Sequence, residues 1–293
     1  MTARVETGPG WTLHLGDCLD PVTGLASLPD KGVDHFISDP PYSEHVHAAS
    51  RRGVMRPEPG KGDAAFSRNR DLGFAALSGA TRNGVAAQMA RACRRWTLAF
   101  SDEESRHLWE AELTGQGMEH VRCGLWVKVG GTPQFTGDRP GIAHEAIEIT
   151  HPPGRKSWNG GGRPAIWAIP IVLNRGGDSA RVHTTQKPLA LMEALVSDFT
   201  DPGELIADPF AGSGTTGVAC IRLGRRFVGW EREPRYFDVA VKRLRAAREQ
   251  LRMPLACEPL GKQASAVETP PCPRPPKDSK WMASAPLRCG EEG

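Results

Sequence analysis

The chain lacks several things that would narrow its class at once. It carries no excess of one charge: 37 Lys and Arg against 34 Asp and Glu leave a formal net charge of +3. Any nucleic-acid surface must therefore be local. It has no C-x-x-C pair, and its seven cysteines (Cys18, Cys93, Cys123, Cys220, Cys257, Cys272, Cys289) are scattered and odd in number. That spacing argues against a zinc site and for reduced thiols. No stretch approaches an apolar membrane span, Met1 to Gly10 has no signal-peptide core, and no internal repeat is visible. The expectation is a soluble cytoplasmic protein whose 293 residues can bury a substantial core.

What is present is an alternation of strand-like and helix-like segments. Strand candidates are Trp11–Leu15, Val33–Ser38, Trp96–Phe100, Val121–Val129, Ala143–Thr150, Ala165–Ile171, Leu205–Asp208 and Arg226–Trp230. Helix candidates are Asp20–Leu28, Val85–Cys93, Glu103–Leu113 with Ser101 or Asp102 as N-cap, a run opened by Pro188, a run from Val218 to Leu223, and Pro234–Leu251. Such alternation implies an α/β fold with a mostly parallel, doubly wound sheet. Residues 252–293 turn to proline, serine and mixed charge and read as a disordered tail.

One stretch organises the rest. Ile206 to Gly217 reads I-A-D-P-F-A-G-S-G-T-T-G, a strand, a glycine turn and the start of a helix. There a backbone approaches a ligand closely and a helix N-terminus faces it. A plain βα turn is the bland alternative. Gly212, Gly214 and Gly217 also satisfy G-x-G-x-x-G, so a dinucleotide site competes at this point. The second marked stretch is Asp39-Pro40-Pro41-Tyr42, directly after a strand. Neither proline offers an N–H, so the strand must stop there, at the edge where open α/β sheets bind ligands. Asp17, Asp39, Asp208 and Glu231 all fall at strand ends. Singly each reads as a cap or a solvated loop acid; Glu231 can also take both hydroxyls of a ribose.

Two segments are basic. Within the segment 43–83, between 51 and 71, Arg51, Arg52, Arg56, Lys61, Arg68 and Arg70 face only Glu58, Asp63 and Asp71. Arg155 to Arg163, with Lys156 and Trp158, reads as a flexible basic loop within 151–184. A solvated loop and a phosphate-binding arm both account for such runs.

D-P-F-A-G-S-G-T-T at 208–216 together with D-P-P-Y at 39–42 resembles the DNA amino-methyltransferases that use S-adenosylmethionine. G-D-C at 16–18, T-Q-K-P at 185–188 and V-G-W-E at 228–231 add to the likeness, which covers most of residues 11–251 as a catalytic domain. D-P-P-Y precedes the glycine turn, as in the permuted β-order group of that family. The resemblance implies a class I methyltransferase fold, a Rossmann-like sheet with circularly permuted motif order. It implies that Asp208, Phe210, Gly212, Ser213, Gly214 and Thr215 hold the methionine part of the cofactor, Glu231 its ribose and Asp17 its adenine, with Lys187 bordering the pocket. It implies that Asp39, the Pro40 carbonyl beside Pro41, and Tyr42 hold a base flipped out of double-stranded DNA. No metal is called for.

The chemistry fits that assignment. An exocyclic amine is a poor nucleophile because its lone pair is delocalised, and two acceptors on its N–H groups favour a pyramidal nitrogen. Rival readings are a nicotinamide-dependent oxidoreductase, which leaves D-P-P-Y without a role; a methyltransferase of RNA or of a protein glutamine; and a non-catalytic DNA-binding module. In the family this chain resembles, an acid such as Asp39 at the first motif position goes more often with adenine N6, with cytosine N4 as the alternative. No large extra domain separates the two motifs, so site choice falls to the basic loops or to a second subunit in a homodimer. A separate restriction endonuclease as partner stays open, as does a bacterial or phage setting. Neutralising Arg51, Arg52 and Arg56 together is expected to flatten the salt dependence of DNA binding. A slope of log affinity against log salt equal to that of the wild type would return the segment to plain solvated loop.

Overall fold

The computed structural model describes residues 4–41, 77–103, 105–130, 138, 140–171 and 186–252. In chain order these form β1 (Arg4–Gly8), β2 (Trp11–Leu15), β3 (His35–Ser38), α1 (Gly79–Ala92), β4 (Thr97–Ser101), α2 (Arg106–Gly115), β5 (Glu119–Val129), β6 (His144–His151), β7 (Ile166–Pro170), α3 (Leu189–Phe199), β8 (Leu205–Asp208), α4 (Thr215–Arg222), β9 (Arg226–Glu231) and α5 (Pro234–Arg252). All lie within one compact unit, Met1–Pro254. Tyr42, the six basic residues from Arg51 to Arg70, and the expected tail beyond 252 fall outside the described residues. Among the described residues no helix is long and apolar enough to cross a membrane.

The strands expected from periodicity all form, within a residue or two of their expected ends. Four local features differ. Helix α1 begins at Gly79, six residues before the expected Val85 and inside the segment 43–83 expected to be a loop, with Ser78 Oγ accepting from Thr81 N at 3.1 Å as its N-cap. The helix expected at Asp20–Leu28 shrinks to a single 3-10 turn at Leu25–Ser27. The Asp20 carboxylate accepts from Val22 N, Thr23 N and Thr23 Oγ1 at 2.8–3.0 Å, a local turn that competes with helix. Helix α2 starts at Arg106 and not at Glu103, because Asp102 Oδ1 accepts from Ser105 N at 2.7 Å and holds the chain in a turn first. Strand β1 was not expected; R-V-E-T-G is polar, and it pairs antiparallel with β2. Its Arg4 and Glu6 are stabilised by Asp238 and Arg245 of α5.

The sheet order is β1-β2-β9-β8-β3-β4-β6-β5-β7. The centre is parallel: β2 with β9, β9 with β8, β8 with β3, β3 with β4. Strand β6 runs antiparallel to both β4 and β5. Along the central strands successive side chains go to opposite faces, and both faces are buried. Ile37, Leu98, Phe100, Ile206 and Phe227 join α3, α4 and α5 in one apolar cluster. Phe36, Ala99, Ala207, Val228 and Trp230 join α1 and α2 in the other. The result is a three-layer α/β/α domain, as expected.

Chain direction sets the position of the site. From β8 the chain passes through α4 to β9 on one side; from β3 it passes through α1 to β4 on the other. Strands β8 and β3 are neighbours, so the connections diverge between them and leave a crevice at their carboxyl ends. Helix α4 lies close to the sheet because Gly217 has no side chain. A Cβ there would meet Leu244 at 2.7 Å and Phe227 at 2.8 Å. Gly217→Val is therefore expected to cost roughly 1–3 kcal/mol through overpacking. Urea unfolding reads this directly, and an unchanged midpoint would mean that α4 is not packed this closely.

Candidate functional site

At the crevice the ends of β3 and β8 are tied together. Ser38 Oγ donates to Asp208 Oδ1 at 2.7 Å. The same oxygen accepts from Phe210 N at 3.0 Å, and Oδ2 accepts from Thr216 Oγ1 at 2.7 Å. Asp208 is 1% exposed. Burial pushes its carboxyl up to about 6, while the three donors pull it back and the nearby Asp39 charge adds to the rise. Both oxygens are thus engaged by the protein itself. The acid expected to hold a ligand directly also folds the turn that follows it.

That turn runs through Gly214, which caps α4 in the left-handed region at φ 78°. A Cβ at Gly214 would also stand 3.0 Å from the Ala240 Cβ. From α5, Arg243 Nη1 donates to Ser213 O at 2.6 Å, Ser213 Oγ at 2.9 Å and Thr215 Oγ1 at 3.1 Å. Sequence reading missed Arg243. Its one signal was a basic residue on the α5 turn between the core positions Val241 and Leu244, which looks like any solvated helix residue.

Strand β9 ends at Glu231, whose Oε1 accepts from Glu233 N at 2.7 Å. Burial raises the Glu231 carboxyl above its ordinary value, and backbone donors from Glu233 and Gly212 oppose it. Beside it Gly16 N donates to Glu231 O at 3.0 Å, which brings the end of β2 to the end of β9. Asp17 follows, exposed, with Oδ1 accepting from Leu19 N at 2.8 Å.

On the β3 side Asp39 Oδ1 accepts from Lys187 Nζ at 2.7 Å. The Asp39 side chain keeps 26% of its surface, whereas Lys187 keeps 5%. Burial raises the Asp39 carboxyl above its ordinary value, and Lys187 opposes the rise. Lys187 was expected to border the pocket, and it does; its ammonium is engaged by protein carboxylates, Asp39 among them.

These groups line one cavity of about 360 Å³. Asp17, Asp39, Pro40, Pro41, Lys187, Asp208, Phe210, Gly212, Ser213, Thr215 and Glu231 all contribute to its wall. Leu77, Ser78 and Thr81, at the start of α1, close it from a side that the sequence had suggested belonged to the basic insertion 43–83. The basic loop 155–163 is not part of this grouping. Strand β4 is parallel to β3, and β6 is antiparallel to β4, with Ser101 opposite Ala146 and Thr97 opposite Thr150. The His144 end of β6 is therefore at the crevice, and the His151 end, where this loop begins, is at the opposite edge. The loop is also anchored and not free. Trp96 Nε1 donates to Ser157 O, Asn159 Nδ2 to Thr200 O, and Arg163 Nη2 to Asp198 Oδ1, at 2.5–3.0 Å. Lys156 pairs with Glu119, and Arg155 is exposed. Arg155, Lys156 and Arg163 thus stand away from the crevice, a separation that strand direction decides.

One grouping among the described residues has metal-ligand spacing: Glu110, His120 and Glu148, with ligand atoms within 4.8 Å of one another. Arg106 Nη1 donates to both carboxylates, at 2.5 and 3.0 Å, and so supplies the positive charge there.

Comparison with known proteins gives a consistent picture. A family model described as DNA methylase (N6_N4_Mtase) matches residues 110–242, which takes in the glycine turn and Glu231. The type II methyltransferase M.HinfI of Haemophilus influenzae is 23% identical over 264 residues, covering 80% of this chain and 68% of the relative. The fold is similar to that of the M1.HpyAVI–SAM complex, at 24% identity and a TM-score of 0.58, covering 80% of this chain and 98% of the other. It is also similar to the cytosine-N4-specific PvuII DNA methyltransferase, at 14% identity and a TM-score of 0.60, covering 84% and 93%.

Arg243→Met removes a charged donor from three turn acceptors. Local opening of the turn should become easier by about 1.5–3 kcal/mol, the range for hydrogen bonds to charged groups. Hydrogen exchange at the amides from Gly212 to Thr216 is expected to quicken at least ten-fold, while amides of β3 and β4 stay protected. Unchanged exchange in the turn would show that Arg243 does not hold it.

Proposed function

We propose that this chain, which is similar to the DNA amino-methyltransferases acting on adenine N6 or cytosine N4, transfers a methyl group from S-adenosylmethionine to the N6 amine of adenine in double-stranded DNA. The observation that supports it best is the Ser38–Asp208 hydrogen bond, which puts Asp39-Pro40-Pro41 and the glycine turn on one cavity.

The cavity wall fits the cofactor chemically. Its charged groups include Asp17, Asp39, Asp208, Glu231 and Glu233, opposed by Lys187 and Arg232. An acidic wall suits a ligand with a sulfonium, an ammonium, ribose hydroxyls and an adenine amine. It does not suit the pyrophosphate of a nicotinamide dinucleotide, which weakens that rival. Glu231 would take the ribose and Asp17 the adenine amine, with Phe210, Gly212, Ser213 and Thr215 around the methionine portion; Gly214, packed against Ala240 and off the cavity wall, would act through the shape of the turn. Asp208 would act chiefly by holding that turn. When bound, S-adenosylmethionine supplies a methyl group on positively charged sulfur, which leaves with the electron pair of the broken bond.

The rest is the work of this chain. Asp39 and the Pro40 carbonyl accept the two N–H groups of the amine, which turns the nitrogen lone pair out of the ring plane. Both interactions strengthen as positive charge grows on that nitrogen, so they favour the transition state over the ground state. Holding the nitrogen in line supplies the remaining benefit. The proton released afterwards leaves along the Asp39 hydrogen bond. Tyr42 would offer an aromatic face to the flipped base, worth about 1–3 kcal/mol of stacking.

Three segments leave and re-enter the described fold at the crevice edge: after Pro41 to Leu77, after Gly130 to Pro140, and after Ile171 to Gln186. The part of 43–83 that precedes α1 and the later half of 151–184 are accordingly the DNA-reading candidates. Arg155, Lys156 and Arg163 are not retained in that role. Adenine is favoured over cytosine because, in the family this chain resembles, an acid at the first motif position goes more often with adenine; the carboxylate itself can position either amine. Cytosine N4 is the second reading, supported by the fold likeness to the PvuII enzyme.

Asp39→Ala is expected to abolish transfer while calorimetric affinity for the cofactor survives. Glu231→Ala should instead weaken that affinity by roughly 1.5–3 kcal/mol. The base is identified by incubating the protein with labelled cofactor and unmethylated duplex DNA, then digesting to nucleosides for mass spectrometry. Label in N6-methyladenine alone is expected; label only in cytidine would overturn the adenine assignment, and near-normal activity in Asp39→Ala would overturn the site.

A further inference from the structure

Asp39 does not stand alone at the end of β3. Lys187 Nζ, 2.7 Å from Asp39 Oδ1, is also 2.9 Å from Glu145 Oε2. Glu145 Oε1 in turn is 2.7 Å from Lys128 Nζ. Lys187 keeps 5% of its side-chain surface and Glu145 11%. The four residues come from four places that only the sheet brings together. Asp39 follows β3, Glu145 opens β6 beside the end of β4, Lys128 lies near the end of β5, and Lys187 precedes α3. The ring of Phe100, at the end of β4, lies 5.0 Å from the ammonium. A buried ammonium in such apolar company is stable only if paired, and pairing to Asp39 alone would tie its geometry to one half-exposed group. Glu145 supplies the second anchor.

We propose that Glu145 and Lys187 form a positioning relay for the base-binding carboxylate: Glu145 holds the Lys187 ammonium, which fixes Oδ1 of Asp39 and leaves Oδ2 to the amine. The proposal rests on reading this cavity as a methyltransferase site. Among the described residues Oδ2 of Asp39 receives no hydrogen bond. The division of labour has a physical consequence. A carboxylate free to rotate offers either oxygen in many directions, whereas one pinned at Oδ1 presents Oδ2 in a single direction, as in-line attack requires.

The charges around Asp39 give the test its sign. Lys187 and Lys128 favour its anion, while Glu145, the neighbouring Asp208 and burial oppose it. Burial also pushes Glu145 up, but Lys187 and Lys128 outweigh it and hold that carboxyl below its ordinary value. Asp39 must be ionised to accept from the amine, so its protonation sets the acid limb of the rate profile. Removing the Lys187 charge moves that limb to higher pH. Removing the Glu145 charge moves it to lower pH. A merely structural pair would impair both variants alike and move neither limb.

The experiment compares Lys187→Met, Glu145→Gln and the double variant with the wild type. The Asp39 carboxyl is titrated by carbon-13 NMR in the free protein, and kcat is followed against pH on duplex DNA with saturating cofactor. Lys187→Met is expected to raise the Asp39 titration and the acid limb by roughly 1 pH unit, the scale of a neighbouring opposite charge. Glu145→Gln should lower both, and the double variant should return towards the wild type. Should Lys187→Met not fold, Glu145→Gln and the double variant, which removes both buried charges together, decide the matter. Shifts of one sign in both single variants, or no shift in folded protein, would overturn the relay. If no form methylates DNA, the NMR titration still tests the relay, and the failure falls on the functional reading alone.

Discussion

A carboxylate buried at 1% exposure must find donors inside the protein, and that requirement at Asp208 holds the site together. Its donors come from three places: Ser38 at the end of β3, the backbone of Phe210 in the turn, and Thr216 in the first turn of α4. Satisfying one group therefore fixes the register of β8 against β3, the path of the turn and the start of α4. The two stretches that stood out in the sequence, far apart along the chain, face each other because of it. Ser38 mattered for this bond, though as a residue it looked like an ordinary strand terminus.

The distribution of charge in the cavity follows a consistent logic. Asp17, Asp39 and Glu231 line the open space, whereas Lys187 and Arg243 are committed to protein partners and Arg232 stays exposed at the rim. Arg243 braces the turn from behind, and Lys187 is shared by Asp39 and Glu145. A chain with almost no net charge can still present a strongly acidic pocket, because sign is sorted by position and not by total. Burial then amplifies each interaction, since charges out of water are screened less.

Strand direction allots the loops. Because β6 runs against β4, its start joins the catalytic edge and its end leaves that edge. The basic loop 155–163 starts from that far end and is tied down there by Trp96, Thr200 and Asp198. Its composition suited a DNA-contacting arm, but composition carries no information about which edge a loop occupies. The same pairing brings Glu145 and Lys128 to Asp39, where no spacing in the sequence would have joined them.

From the sequence alone came the alternation of strand and helix, the α/β class, the four acids at strand ends and the two motifs with their permuted order. These are local properties. Periodicity of 2 or 3.6 residues, prolines that end a strand and glycines that admit a tight turn all act within a few residues. The helix that failed at Asp20 was lost to an equally local competitor, the Asp20 side chain. Tertiary structure alone decided which ends meet. It placed Ser38 on Asp208, Arg243 under the turn, Glu145 behind Lys187 and the basic loop on the far edge. Those contacts depend on strand order and on parallel or antiparallel pairing, which are set by burial of both sheet faces at once, so no window of sequence contains them.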